Sequence, residues 1–133
     1  MHPFRAVVES RDFDRLDQLF ADDVVCHSPI AFRSYRGRPA VTQIVKIVAT
    51  VLEDFAYESE IDGDDVHALV FTARVGALLI QGCDFVHTGA DGLIDELTVM
   101  LRPLKAVQAF AEHMAARCRD SALTVPAQAH PAR

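Results

Sequence analysis

The sequence predicts a single α+β domain in which an antiparallel sheet wraps a helical layer. Two observations indicate this class: helical patterns dominate the chain up to Glu53, and β-prone runs separated by turn dipeptides follow from Phe55 to Arg102. The length of 133 residues suits one domain, without repeats or a long linker. We expect this domain to span residues 1–119 and residues 120–133, which are small, polar and proline-containing, to form a flexible tail.

The N-terminal half is predicted to contain a short helix, a strand and a long helix. In DFDRLDQLFADD, Phe13, Leu16 and Phe20 share one helical face, and Asp12 is placed to cap it. VVCHSPI is typical of a strand, which Pro29 ends. The long helix begins at Pro39, and its apolar residues recur at helical spacing: Val41, Ile44, Val45, Val48 and Leu52.

Hairpins and a final helix are predicted after the long helix. Asp62-Gly63, Gly76-Ala77 and Asp91-Gly92 each separate two β-prone runs, which is typical of antiparallel hairpins. Pro103 then opens a last helix. Its apolar stripe consists of Leu104, Val107, Phe110, Met114 and Cys118.

Asp84 is the carboxylate in the otherwise apolar run ALLIQGCDFV. If the Gly76-Ala77 turn pairs Val75 with Leu78, strand alternation places Asp84 on the apolar, inward face. Burial raises a carboxyl pKa, so a protonated Asp84 could donate a hydrogen bond or transfer a proton. Equally, a carboxylate that accepts hydrogen bonds could only organise the core. Both interpretations remain open.

The order of elements, together with LFADDVV, YRG and ADGLIDELTVMLRP, resembles the NTF2-like superfamily. This group includes ketosteroid isomerases, SnoaL-like polyketide cyclases and limonene epoxide hydrolases. The resemblance extends from about Phe4 to Cys118. It implies a strongly curved sheet folded around the long helix into a cone, an apolar pocket at one end, and a homodimer formed through the outer sheet face.

The resemblance to ketosteroid isomerases covers only part of their catalytic set. Asp84 matches their oxyanion-hole aspartate, but Phe4 stands in place of the oxyanion-hole tyrosine and Ser28 in place of the general-base aspartate. A serine hydroxyl is no base near neutral pH without activation, so steroid isomerisation by that mechanism is not expected. The same register implies three pocket-lining residues: Leu97, Val99 and Leu101.

The resemblance to limonene epoxide hydrolases is weaker still. Arg74 matches their active-site arginine, but Gly76 and Val99 replace the two flanking aspartates. Cys26 and Ser28 replace the water-holding tyrosine and asparagine. We therefore exclude that chemistry and interpret Arg74 as a surface or interface charge.

The candidate site residues are chosen by residue type and by the face of the strand on which each is expected to lie. Asp84 is the candidate catalytic residue, Tyr57 is a donor at the pocket rim, and His27 is a titratable group near the mouth. The predicted lining consists of Phe4, Cys26, Ser28, Tyr57, Leu69, Val86, Leu97, Val99 and Leu101. No residues stand at metal-ligand spacing, and we expect neither a metal nor a cofactor.

The composition of the chain limits the kinds of partner that it can bind and the cellular compartment in which it is expected. A net charge of -6 argues against nucleic acid, which needs a basic face. No apolar run approaches the roughly 20 residues of a membrane helix. The N-terminus lacks the features of a signal peptide, and Cys26, Cys83 and Cys118 form no CxxC pair. We expect a cytoplasmic protein with reduced thiols.

Two functions are consistent with these features. The first is a cofactor-free enzyme of isomerase or cyclase type, in which Asp84 moves a proton next to the carbonyl of a small hydrophobic or polycyclic ligand. The second is a ligand-binding or protein-binding module that keeps the fold without the catalytic set.

Overall fold

The computed structural model describes residues 1–120, which form helices on one side of a single curved sheet. The helices are α1 (Pro3–Ser10), α2 (Leu16–Leu19), α3 (Arg38–Val51) and α4 (Leu104–Asp120), with a 3₁₀ turn at Phe13–Arg15. The strands are β1 (Phe20–His27), β2 (Tyr35–Arg36), β3 (Glu53–Asp62), β4 (Val66–Val75), β5 (Leu78–Thr88) and β6 (Ile94–Arg102). The predicted tail lies outside the described residues, except for Asp120.

The sheet confirms the predicted α+β class and hairpin succession. Its strand order is β2-β1-β6-β5-β4-β3, and β3 to β6 pair antiparallel with their sequence neighbours. The pairing of β1 with β6 is parallel, which the sequence had not indicated. β1 and β6 lie far apart in the chain, so their pairing joins the N-terminal part of the protein to the four-stranded meander of β3 to β6. The long helix α3 provides part of that connection.

The first predicted helix is shorter than expected. DFDRLDQLFADD forms only the 3₁₀ turn and the single turn of α2, and the Asp12 side chain makes no capping hydrogen bond. Phe20 adopts an extended backbone and pairs with Ile94 of β6, fully buried. This strand pairing outweighs the helical spacing of Phe20, because tertiary packing overrides local propensity.

The β4–β5 hairpin has the predicted register. Val75 pairs with Leu78 across the turn, and further along the ladder Leu69 pairs with Asp84. Gly76 has a φ of 59°, which favours glycine at this turn. The two strands share one inner face, which carries Leu69, Phe71, Ala73, Val75, Leu78, Ile80, Gly82, Asp84 and Val86. Asp84 therefore points toward the helices.

Two helices cover the inner face. The buried residues of α3 are Val41, Ile44, Ile47 and Val51, and those of α4 are Ala106, Phe110, Met114 and Cys118. Leu104, predicted as part of the α4 stripe, is instead 72% exposed. It stands two residues before Ala106, which is about 200° around the helix. The core stripe of α4 thus follows a spacing of four residues from Ala106.

Candidate functional site

A cavity of about 340 Å³ opens between the inner sheet face and the helices. Its walls are mostly apolar and come from α1, α3, α4 and the strands. Asp84 lies in this cavity. So do seven of the residues that the sequence suggests as lining: Phe4, Cys26, Ser28, Tyr57, Leu97, Val99 and Leu101.

The two remaining lining candidates, Leu69 and Val86, do not line the cavity. Both lie on the inner face beside Asp84, but neither side chain has any exposed surface. They belong to the packed core, where strand partners and helices fill the space around them. Strand alternation gives the face of a residue but does not say where along that face the packing leaves a void.

Asp84 is buried at 7% exposure and hydrogen-bonded to one phenol. Its Oδ2 accepts a bond from Tyr57 Oη at 3.3 Å. Burial raises the pKa of Asp84 to about 7, because the ionised form loses solvation, and the Tyr57 hydrogen bond opposes this rise. Near neutral pH the carboxyl group therefore exists in both protonation states.

Tyr57 is held as a neutral donor. Burial, followed by the charge of Asp84 and the bond to it, raises the phenol pKa well above its usual range. The ring packs edge-on against Phe55 at 4.9 Å and Phe71 at 6.2 Å, and the Arg5 guanidinium lies 5.4 Å from its centroid. Sequence reasoning placed Tyr57 at the rim and missed its bond to Asp84.

Gly82 shapes the wall next to this pair. A Cβ atom at Gly82 would lie 2.3 Å from Phe71 Cζ and 2.7 Å from Leu101 Cδ2. Only glycine at this position leaves room for the Phe71 and Leu101 side chains to pack against the backbone of β5. A glycine inside a strand is a signal of such close approach, and it could have pointed to the pocket wall.

Ser28 and Phe4 are the two residues that the sequence resemblance aligns with the base and the tyrosine of ketosteroid isomerases. Ser28 Oγ accepts hydrogen bonds from the backbone N–H groups of Ile30 at 3.1 Å and Ala31 at 3.3 Å, so it shapes the loop after β1. Phe4 packs against the Phe20 ring at 6.2 Å. These two positions therefore contribute no carboxylate and no phenol.

Cys26 is the thiol that borders the cavity. Burial, assisted by the charge of Asp84, raises the pKa of Cys26 to about 12. The thiol therefore stays protonated and unreactive as a nucleophile at neutral pH. All three cysteines are free thiols, and Cys83 lies on the outer face of β5.

Other polar candidates lie outside the cavity. His27 bridges Ser34 Oγ and Glu96 Oε2, each at 2.7 Å. Arg74 forms an ion pair with Asp54 at 2.6 Å between Nη2 and Oδ2, which agrees with a surface charge. Within residues 1–120, no group of three His, Cys, Asp or Glu side chains is arranged to hold a metal ion. Nor does any helix in this range have the length and hydropathy to cross a membrane.

The sequence and the fold place the chain in a known family. Residues 2–97 match the SnoaL-like domain, and the chain belongs to this family of the NTF2-like superfamily. No match was found among curated proteins.

Several solved structures are similar to this chain in sequence and in fold. A steroid Δ-isomerase from Pseudomonas aeruginosa is 34% identical with a TM-score of 0.86, over 91% of this chain and 90% of its own. A protein with a cystatin-like fold from Silicibacter pomeroyi is 32% identical with a TM-score of 0.85, over 92% and 89%. A protein described as a SnoaL-like polyketide cyclase from Shewanella denitrificans is 12% identical with a TM-score of 0.60, over 84% and 90%, which shows a shared fold.

Proposed function

We propose that this protein binds a small apolar or polycyclic ketone in its cavity and uses Asp84 to move a proton next to the carbonyl group. The observation that supports this most is the placement of a buried carboxyl group, with a pKa near 7, on the wall of a mostly apolar cavity. General acid–base catalysis is most efficient when the pKa of the group lies near the working pH. The volume of about 340 Å³ suits a small ligand.

The proposed chemistry needs one carboxyl group in two protonation states. Ionised Asp84 takes a proton from the carbon next to the ligand carbonyl and leaves an enolate. The resulting acid returns that proton to another carbon of the conjugated enolate, which restores the carbonyl and the Asp84 carboxylate. Tyr57, held neutral, donates to Asp84 Oδ2 and fixes its orientation. The 34% identical steroid Δ-isomerase gives this reaction class further support. Because Ser28 and Phe4 replace the other catalytic groups, we propose a mechanism in which Asp84 acts as both base and acid.

A panel of cyclic ketones, including a β,γ-unsaturated steroidal ketone, tests this proposal. Turnover is followed by the absorbance of the conjugated product and binding by calorimetry. Asp84→Asn should abolish turnover and leave ligand binding measurable. Asp64→Asn, which removes an exposed carboxylate in the turn between β3 and β4, is the matched control and should behave as wild type.

A non-catalytic binding module is the alternative function. The observation that favours it is the absence of a second base in the cavity interior of the described chain: Glu9 and Asp54 line the cavity but are exposed and paired with arginines. If ketones bind wild type and Asp84→Asn equally and none is turned over, the module is correct. If no ketone binds, the proposed ketone enzyme is wrong.

We also propose a homodimer through the outer sheet face, in a reducing compartment such as the cytoplasm. This face exposes four large apolar side chains: Leu79, Ile61, Met100 and Val66 at 73%, 62%, 56% and 40%. Three free thiols suit a reducing environment. Sedimentation analysis should show a dimer that Leu79→Glu disrupts, while Leu104→Glu, which adds a charge on α4, leaves it intact. A monomeric wild type would refute the dimer.

A further inference from the structure

The mouth of the cavity carries one arginine without a carboxylate partner. Three exposed charged residues line the cavity: Glu9, Arg11 and Asp54. Glu9 pairs with Arg5 at 3.3 Å, and Asp54 pairs with Arg74 at 2.6 Å. Within residues 1–120, Arg11 forms no ion pair. Each of the two mouth carboxylates thus has an arginine partner, which Glu9 shares with Glu60, whereas the Arg11 guanidinium has no carboxylate of the described chain within ion-pair distance.

The backbone at the mouth is held in an unfavourable conformation. Arg11 ends α1 with a φ of 60° and a ψ of 22°, and its N–H donates to Val8 O at 3.2 Å. Glycine is the usual residue at this position of a helix end, because a Cβ atom is disfavoured there. The non-glycine residues with positive φ in the described chain are Arg11 and Asp54, and both line the mouth. Such strain tends to mark functional sites.

The Arg11 side chain is also placed by an aromatic ring. Its Cζ atom lies 5.7 Å from the centroid of Phe13, which itself lines the cavity. A guanidinium over a ring face is attracted by the ring and loses little freedom when it then binds a ligand. The planar group presents paired N–H donors, which suit a carboxylate or a sulfate.

We propose that Arg11 binds an anionic group at the outer end of the ligand. This inference rests on the proposed function, since it requires that an apolar body fills the cavity and that the carbon next to the ligand carbonyl reaches Asp84. The ligand class is then an apolar cyclic ketone that carries a carboxylate or sulfate at the end opposite its carbonyl. Because the chain has a net charge of -6, most of its surface disfavours such an anion, and Arg11 provides a local exception.

The contribution of Arg11 should be modest and sensitive to salt. The guanidinium is exposed, and an exposed ion pair changes affinity by up to about fivefold. Added salt should weaken this preference, since solvent-exposed charges are screened. Binding of a neutral ligand should not respond to salt in the same way.

A matched pair of ligands tests the inference. The probes are a steroidal ketone with a carboxylic acid at the far end and its methyl ester, both measured by calorimetry. Wild type should bind the acid more tightly than the ester, by up to about fivefold. Arg11→Met keeps an apolar stem over Phe13 and should remove this preference, so that the acid and the ester bind with equal affinity. Arg15→Met makes the same charge change in the 3₁₀ turn, outside the cavity lining, and should keep the preference.

The outcomes separate this inference from the proposed function. Equal binding of acid and ester to wild type, or a preference that persists in Arg11→Met, would overturn the role of Arg11 while leaving the ketone site intact. If the ester and the acid both fail to bind, the proposed function and this inference are refuted together.

Discussion

Replacing Asp84 by Asn should stabilise the folded protein, and the gain should grow with pH. In the native state Asp84 has a pKa of about 7, above the ordinary value of 3.8. A group whose pKa is raised on folding gives its full stability below the unfolded pKa, and this stability is lost as the pH rises through the folded pKa. The difference between the two values corresponds to about 4 kcal/mol once Asp84 is fully ionised.

Asn and Leu at this position separate charge from hydrogen bonding. Asp84→Asn removes the ionisation and leaves an oxygen for Tyr57, so its free energy of unfolding should exceed that of wild type by up to about 4 kcal/mol at about pH 8. At about pH 5 the gain should fall to roughly 1–2 kcal/mol. Asp84→Leu leaves the Tyr57 hydroxyl without this partner, at a cost of about 1–3 kcal/mol, and should gain less.

Urea unfolding followed by circular dichroism, at several values between about pH 5 and about pH 8, measures these differences. Taking the difference between variant and wild type cancels the groups that titrate in both. Asp64→Asn, in which an exposed carboxylate is lost, should show no comparable trend. The reasoning is refuted if the gain of Asp84→Asn does not change with pH, or if this variant loses several kcal/mol throughout. The first result would show that folding does not raise the pKa of Asp84, and the second that the Asp84 side chain stabilises the fold.

Three further predictions concern the same cavity. Tyr57→Phe removes the hydrogen bond that lowers the pKa of Asp84, so the pH midpoint of binding or turnover should move upward, as a pH profile would show. Gly82→Ala places a methyl group 2.3 Å from Phe71 Cζ and should cost about 1–3 kcal/mol in urea unfolding. Because its pKa is raised to about 12, Cys26 should react with iodoacetamide far more slowly at neutral pH than a free thiol in solution, as peptide mass analysis would show.

The inward position of Asp84 could be predicted because it depends on one short-range feature. The Gly76-Ala77 turn fixes the pairing of Val75 with Leu78, and the β4–β5 ladder then continues without a shift to Asp84. Because side chains alternate strictly along such a ladder, the face on which one residue lies determines the face of every other residue. No knowledge of distant packing was needed.

The partner of Asp84 could not be predicted in this way. Regular pairing from the β3–β4 turn would place Tyr57 opposite Thr72, on the outer face. The register instead shifts between Tyr57 and Ser59, so that Tyr57 pairs with Phe71 and turns inward. A bulge adds one residue to one strand and has no reliable signature in this stretch, so the hydrogen bond to Asp84 became visible only in the structure.

The N-terminal segment shows the other limit of local patterns. Phe13, Leu16 and Phe20 have helical spacing, yet Phe20 belongs to β1 and pairs with Ile94 in β6. Spacing along the chain cannot report a partner more than seventy positions later. The same three apolar residues are consistent with one continuous helix and with a single helical turn followed by a buried strand. Only the β1–β6 pairing distinguishes these two structures.

Features that reduce stability coincide in one part of this molecule. A cavity removes packing contacts, a buried carboxyl disfavours folding when it ionises, and Arg11 and Asp54 hold backbone conformations that suit glycine. In a chain selected for stability alone, each feature could be removed by substitution: the cavity by a larger side chain, the buried carboxyl by a leucine, and the strained residues by glycine. Their coincidence at one cavity supports the binding of a ligand there. A ligand that binds only the native state stabilises it, and the gain grows with the logarithm of the ratio of ligand concentration to Kd. A ligand that fills the cavity should therefore raise the unfolding temperature, and by more in wild type than in a variant whose cavity is closed by a larger side chain.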